Sequence, residues 1–298
     1  MNITAIILTL NEEKHLSRCL ASLQGVVDQV VVVDCYSTDS TLDVARAEGA
    51  RVIEREWTNH ATQFNWALTQ LDDDVDWVLR IDADEVLTPE LADEIKSGLA
   101  GLGPEVKGIR CARRMTFLGK KIRYGGVFPI QVLRMFRRGY GECENRWMDE
   151  HIKVTGKTAE FAGEIIDDNL NSLSWWTDKH NKYASREAVD LLNLQYGFMP
   201  HDSVASLNGS GRAGIKRWFK ERVYARLPGG FRAFAYFFYR YVLRLGFLDG
   251  HAGTAFHFLQ GFWYRYLVDA KVTEVRDYMR KENVRIETAI ETILSIKV

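Results

Sequence analysis

DWVLRIDADEVLTPE, residues 76–90, decides how the chain is read. Trp77 to Ile81 is a mainly apolar run with the length of a buried strand, and it ends directly in Asp82, Asp84 and Glu85. Like charges a few ångströms apart repel and raise one another's pKa, so three acids at the mouth of a sheet call for a positive partner. Beyond them, Thr88 and Pro89 occupy the N-cap and first-turn positions of a helix, PELADEIKSGL.

Upstream, strand and helix signals alternate. TAIILTL reads as a strand, and EEKHLSRCLASLQG places Leu16, Cys19, Leu20 and Leu23 on one helical face before Gly25. QVVVVD is too uniformly apolar to be half exposed and belongs inside a parallel sheet. A short helix from STDSTLDVARAEG, a strand in ARVIERE and a helix in ATQFNWALTQL lead into the opening stretch. This βαβαβαβα order predicts an α/β fold, a doubly wound sheet covered on both faces, with ligands beyond the carboxyl ends of the strands. Thr9 to Glu13, Asp34 to Asp39 and Asp82 to Glu85 should therefore converge on one crevice.

Downstream, VKGIRCARRMTFLGKKI, PIQVLRMFRRG and HIKVTG read as mixed or antiparallel strands continuing the same domain. SWWTDKHNKYASREAVDLLNLQYG is helical, and LNGSGRAG (207–214) has linker composition. The predicted division is a catalytic domain over 1–206 and an amphipathic helical region over 212–298.

Length (298 residues) and a hydrophobic content of 46% suit one large domain with an appendage and exclude disorder. A strand is reached within a few residues of Met1, with no basic segment, apolar segment and cleavage site before it, so no export is expected. Cys19, Cys35, Cys111 and Cys143 form no CxxC pair and no zinc spacing; they are expected to be packing residues in a reducing cytoplasm. From Arg212 to Leu248, nine Lys or Arg face a single acid, Glu221, although the whole chain carries a net charge of −1. On a regular helix, Arg222, Arg226, Arg232, Arg240 and Arg244 form basic stripes opposite aromatic and leucine side chains. No run is long enough without charge to span a membrane. The region is expected to lie peripherally on an anionic membrane surface, the inner face of the cytoplasmic membrane, rather than on nucleic acid. Packing of these aromatics against the catalytic domain, or against a second subunit in a homo-oligomer, is the competing reading.

The plain reading of DADE is a set of solvated acids capping the following helix. Their position at the ligand-binding edge of a sheet favours chemistry instead. Hard cations such as Mg²⁺ or Mn²⁺ take oxygen ligands and bridge carboxylates to a diphosphate. A haloacid-dehalogenase-type phosphatase is the alternative, since VLRIDADEV fits its first motif and EIIDDN (164–169) its later acidic pair. A phosphatase of that kind carries its first acids on its first strand, not after three βα units. A non-catalytic peripheral membrane protein would leave the acids unexplained. No GxGxxG follows the first strand, which disfavours a dinucleotide-dependent dehydrogenase.

IILTLNEEKHLSRCLASL, VVVVDCYSTDSTLDVARAEGARV, QFNWAL and WVLRIDADEVLTPELADEI together resemble the successive blocks of inverting family-2 glycosyltransferases with the GT-A fold. FLGKKIRYGGVFPIQVLRMFRRG, WMDEHIKV and LRLGFLDGHAG resemble the bacterial branch that builds lipopolysaccharide core and other envelope glycans. The second block departs from the family in Cys35 and Tyr36, where Ser and a small residue are common. The resemblance implies a metal-dependent hexosyltransferase using a nucleotide-sugar donor, a UDP-sugar foremost, and a lipid-linked saccharide acceptor. It assigns Thr9, Leu10, Asn11 and Glu12 or Glu13 to the base, Asp34 to the base or ribose, and Gln63 and Asn65 to the vicinity of the nucleotide; in such a site Asp84 is the first choice for direct metal ligation and Asp82 for ribose or metal contact. Inversion also needs a base on the far face of the sugar. NRWMDEHIKV supplies Asp149 and, as the other choice, Glu150, with Trp147 as a platform for a sugar ring.

Overall fold

Side chains alternate across a strand, and the first strand uses both of its faces. In β1 (Ile3–Thr9), Ile3, Ala5 and Ile7 enter one core and Ile6 enters another. The structure, a computed structural model, describes residues 1–144, 151–199 and 230–298. β1 lies parallel to β2 (Gln29–Asp34) and to β4 (Trp77–Arg80), and β2 is parallel to β3 (Arg51–Glu54). The order β3-β2-β1-β4 puts β1 at the centre of this half, so a crevice opens where the winding reverses. On one face pack Leu16, Cys19, Leu20 and Leu23 of α1 (Leu16–Leu23), Ala45 of α2 (Thr41–Ala47), and Leu91 and Ile95 of α4 (Pro89–Gly98). On the other lie Ala61, Phe64 and Ala67 of α3 (His60–Thr69). The Thr88 side chain accepts from the Leu91 amide and Pro89 opens α4, as its sequence predicts.

The second half turns the sheet mixed. β8 (Ile130–Arg137) is antiparallel to β4 and to β6 (Val106–Phe117), β11 (Lys157–Asp167) is parallel to β6, and β5 (Glu85–Leu87) is antiparallel to β11. β7 (Lys120–Lys121) adds to β6, and β9 (Gly141–Cys143) with β10 (Ile152–Val154) forms a separate hairpin. Sequence order leads from β4 into β5 through a tight turn, in which the Glu85 amide donates to the Asp82 carbonyl at 2.9 Å, yet three strands separate them in the sheet. A turn that short forces the sheet to curl. The curl brings the end of β11 to the acids.

Contacts divide the chain into two compact units, Met1–Asn171 and Ser172–Val298, while residue 206 and the expected linker 207–214 lie outside the described residues. The reason for the division is the helix Leu173–Tyr196. Its Ala184, Ala188, Val189 and Leu192 share a core with Val268, Val272 and Val275 of the helix Tyr264–Glu282 and with Ala289 and Ile290 of the helix Ile286–Leu294.

Among the described residues, two of the arginines expected in the basic stripes, Arg232 and Arg240, turn inward. Arg232 pairs with the buried Asp269, and Arg240 is buried with its guanidinium donating to Gln260 Oε1 at 2.7 Å and lying over Tyr236 and Phe256. Arg244 is exposed, and Arg222 and Arg226 lie outside the described residues. Residues 239–243 and 257–263 are π-helical, and the first stretch breaks the 100° step between Arg240 and Arg244. Beside Arg244, the helix Phe231–Phe238 and its continuation expose large apolar side chains, Phe231, Phe234, Phe238, Val242 and Leu245 among them. No helix among the described residues is long and apolar enough to cross a membrane.

His257 sits fully buried in the second π-helical stretch, with no hydrogen-bond partner for either ring nitrogen among the described residues. Burial, and then the Arg240 charge, pull its pKa from 6.5 to about 4. The unfolded chain therefore binds more protons between these values, and stability is full above pH 6.5 and falls as the pH drops towards 4. Wild type should lose ~1–2 kcal/mol from this group at pH 5, and His257→Leu should reduce the loss. Urea midpoints at pH 7.5 and 5 test this; equal losses in both proteins would exclude His257 as the source.

Candidate active site

The positive partner required by the three acids comes from β8. Antiparallel pairing sets Leu79 opposite Met135, which brings Arg134 level with the end of β4. Its Nη2 donates to Asp82 Oδ2 at 3.0 Å and to Glu85 Oε1. Glu85 is 1% exposed, and its Oε2 also accepts from the Asp82 amide at 3.1 Å. Burial pushes the Glu85 carboxyl up to about 8 against the pull of Arg134, and the Asp82 charge adds to the rise. Asp82 goes the other way: burial raises it, but Arg134 and then Arg80 hold it well below the usual carboxylate range. Two acids around one guanidinium thus divide into a partly exposed carboxylate and a buried carboxyl group behind it whose ionisation burial opposes.

Around this centre, Arg80 Nη2 lies 3.9 Å from Asp82 Oδ1 and 3.3 Å from His60 Nε2. Burial, then Arg80, lower the His60 pKa to about 4, so the imidazole is neutral at pH 7. Asp84 is half-buried and points at the end of β11, where Asn169 Nδ2 donates to its Oδ2 at 2.9 Å. Burial and the Asp84 charge raise Asp167 to about 6, opposed by Arg113 at 3.8 Å. Asp168, the next acid, is taken by Arg18 at 2.6 Å. EIIDDN is therefore the second acid-bearing strand end of the same crevice.

The ends of β1 and β2 are brought together as expected, and most of their side chains hold one another. Asp34 is fully buried and accepts from Thr9 Oγ1 (2.6 Å), Ser37 Oγ (2.6 Å) and the Ser37 amide (2.7 Å). Asn11 Oδ1 accepts from the Thr38 amide at 2.9 Å, and the Asn11 amide donates to Ser37 Oγ at 2.8 Å. Both Asn11 (φ +56°) and Tyr36 (φ +61°) adopt left-handed backbone conformations, which these bonds impose. Glu13 accepts from the Ser40 amide, and Glu12 Oε2 lies 2.6 Å from His15 Nδ1. His15 Nε2 accepts from the Leu170 amide, so Nδ1 carries the proton and donates to Glu12. Facing outward from this scaffold are Leu10 (53% exposed) and Tyr36 (57%).

Gln63 is buried, with Nε2 3.4 Å from both Cys35 Sγ and the Arg55 carbonyl, and its Oε1 has no partner among the described residues. Asn65 mimics a peptide unit: Nδ2 donates to the Cys143 carbonyl at 2.8 Å and Oδ1 accepts from the Cys143 amide at 2.7 Å, so it anchors β9. Trp147, Asp149 and Glu150 lie outside the described residues. The residues flanking them are joined, the Glu144 amide donating to the His151 carbonyl at 2.9 Å.

Among the described residues no three His, Cys, Asp or Glu side chains are grouped to hold a metal ion. Asp82 and Asp84 are hard oxygen donors of the kind Mg²⁺ and Mn²⁺ accept, and one or two carboxylates suffice when substrate phosphates supply further ligands. The donor set fits such an ion on that condition.

Arg134 and Arg80 were not singled out in the sequence, although an arginine inside the apolar run VLRMF is itself a sign of a buried acidic partner.

The sequence profile described as "Glycosyl transferase family 2" matches residues 4–140. An uncharacterized glycosyltransferase of Rickettsia typhi is 43% identical over 203 residues, which cover 64% of this chain and 68% of that protein. The lipopolysaccharide core biosynthesis glycosyltransferase LpsC of Rhizobium meliloti is 30% identical over 62% of this chain and 70% of its own length. Among solved structures, glucosyl-3-phosphoglycerate synthase from Mycobacterium tuberculosis in complex with Mn²⁺, UDP and glucosyl-3-phosphoglycerate is 25% identical at a TM-score of 0.32. That likeness spans 38% of this chain and 44% of the other.

Proposed function

Because the chain belongs to glycosyl transferase family 2, we propose that it moves a sugar, with inversion, from a nucleoside-diphosphate sugar to a lipid-linked saccharide of a bacterial envelope glycan. The observation that carries this reading is the pairing of a buried Glu85–Arg134 anchor with Asp82 and Asp84 at the carboxyl end of β4, beside the scaffold of β1 and β2. A UDP-sugar is the foremost donor. Backbone at Thr9 to Asn11 and the exposed Tyr36 ring would meet the base, with Thr9 and Asp34 fixing that backbone from behind.

Asp84, with Asp82, would hold Mg²⁺ or Mn²⁺ against the diphosphate, where the ion supplies neutralisation of the charge that develops on the leaving group. The acceptor hydroxyl attacks the anomeric carbon as the bond to the diphosphate oxygen breaks, and its proton passes to Asp149 or Glu150. Likeness to LpsC supports lipopolysaccharide core as the acceptor class. The apolar edge Phe231, Phe234 and Phe238, following the basic run from Arg212 to Arg226, supports peripheral attachment to the inner face of the cytoplasmic membrane.

A panel of nucleotide sugars incubated with purified protein, acceptor lipid extract and Mg²⁺ or Mn²⁺ tests the proposal. One donor should be consumed with release of nucleoside diphosphate and an inverted anomeric centre in the product by NMR, and the protein should float with anionic vesicles. Retained configuration, or no consumption of any donor, contradicts the reaction; indifference to vesicles contradicts the membrane assignment alone.

A further inference from the structure

We propose that Arg134 is a positioning residue that makes divalent-cation binding by Asp82 and Asp84 conditional on the donor's diphosphate. The inference rests on the function proposed above and concerns the order in which that site fills.

A guanidinium on a strand, buried and held from behind by Glu85, is a permanent charge of the site. Its contact with Asp82 Oδ2 at 3.0 Å occupies one of the two oxygens of that carboxylate, and Arg80 stands 3.9 Å from the other. Asp84 already gives Oδ2 to Asn169. Glu85 is too deeply buried to serve as a ligand, and its Oε2 is bonded to the Asp82 amide. A lone divalent ion approaching Asp82 and Asp84 therefore meets two carboxylates whose charge Arg134 and Arg80 largely balance. A diphosphate changes this, because it adds oxygen ligands and negative charge on the open side, which the same arginines then favour. Ion and nucleotide should bind synergistically, with Arg134 setting the size of the synergy.

Free Mn²⁺, followed by electron paramagnetic resonance, is titrated with the full chain alone and with UDP, GDP or ADP. For wild type, Mn²⁺ alone should bind at least about 100-fold more weakly than with the nucleotide that fits. Two double variants, Arg134→Met with Glu85→Gln and Arg134→Gln with Glu85→Gln, remove the cation and leave no buried carboxyl group without its partner; the second keeps a hydrogen-bonding pair where the first proves unfolded. Either should bind Mn²⁺ alone at least about tenfold more tightly and show a correspondingly smaller synergy. Arg134→Lys, which keeps the charge, should stay near wild type. A purely structural arginine would lower the melting temperature and leave the ratio of affinities with and without nucleotide unchanged. That unchanged ratio in a folded double variant overturns the proposal while leaving the donor reading intact. If no nucleoside diphosphate alters Mn²⁺ binding in any of the proteins, the donor reading and this inference fall together.

Discussion

Asp84→Ala should reduce sugar transfer by at least about three orders of magnitude, equivalent to ~4 kcal/mol of transition-state stabilisation. Its fold should survive. Asp84 is half-buried and its side chain accepts from Asn169 at 2.9 Å, an interaction worth ~1 kcal/mol, whereas the Glu85–Arg134 pair beneath it remains intact. The large effect therefore appears in kcat/KM and not in the urea midpoint. Turnover within tenfold of wild type in the presence of Mg²⁺ or Mn²⁺ would remove Asp84 from the reaction. By contrast, Glu85→Gln acts through Arg134 and should affect stability and cation binding together.

Asp149→Asn should lower turnover by roughly two to four orders of magnitude with donor affinity nearly unchanged, because an amide keeps the size and removes the basicity. Glu150→Gln is its control. An active Asp149→Asn beside a dead Glu150→Gln assigns the base to Glu150, and two active variants place it elsewhere. Rates from saturating donor, with KM for donor measured in parallel, separate loss of a base from loss of binding.

Much of the crevice was legible in the sequence because it is local. TAIILTL, QVVVVD and WVLRI each announce a strand and the polar residues that end it, and the parallel order follows from the βα alternation. Arg134 was not legible in the same way. It lies about fifty residues beyond Asp82 in sequence, and only the Leu79–Met135 register of an antiparallel neighbour brings the two together. The strand end EIIDDN repeats the pattern of the opening stretch, apolar run then acids, but its convergence on Asp84 depends on the curl between β4 and β5. Polar side chains near a predicted site also do not declare which way they work. Asp34 and Asn65 stand close to the expected positions and spend their hydrogen bonds on Ser37, Thr9 and Cys143, shaping the crevice from within. In the C-terminal helices, a stripe drawn at 100° per residue did not foresee Arg232 and Arg240 turning inward, because Asp269 and Gln260, partners distant in sequence, take their guanidinium groups and a π-helical stretch changes the step at Arg240.

Titration calorimetry of nucleotide sugars into wild type and Asp84→Ala, each with Mg²⁺ or Mn²⁺ and again in excess chelator, is the most direct test of the site. Expected is one donor that binds wild type, weakens at least about tenfold in chelator, and weakens comparably in Asp84→Ala whether or not the ion is present. Equal affinity in all four conditions, or no nucleotide sugar bound by a folded wild-type protein, would contradict a cation-assisted donor site at Asp82 and Asp84.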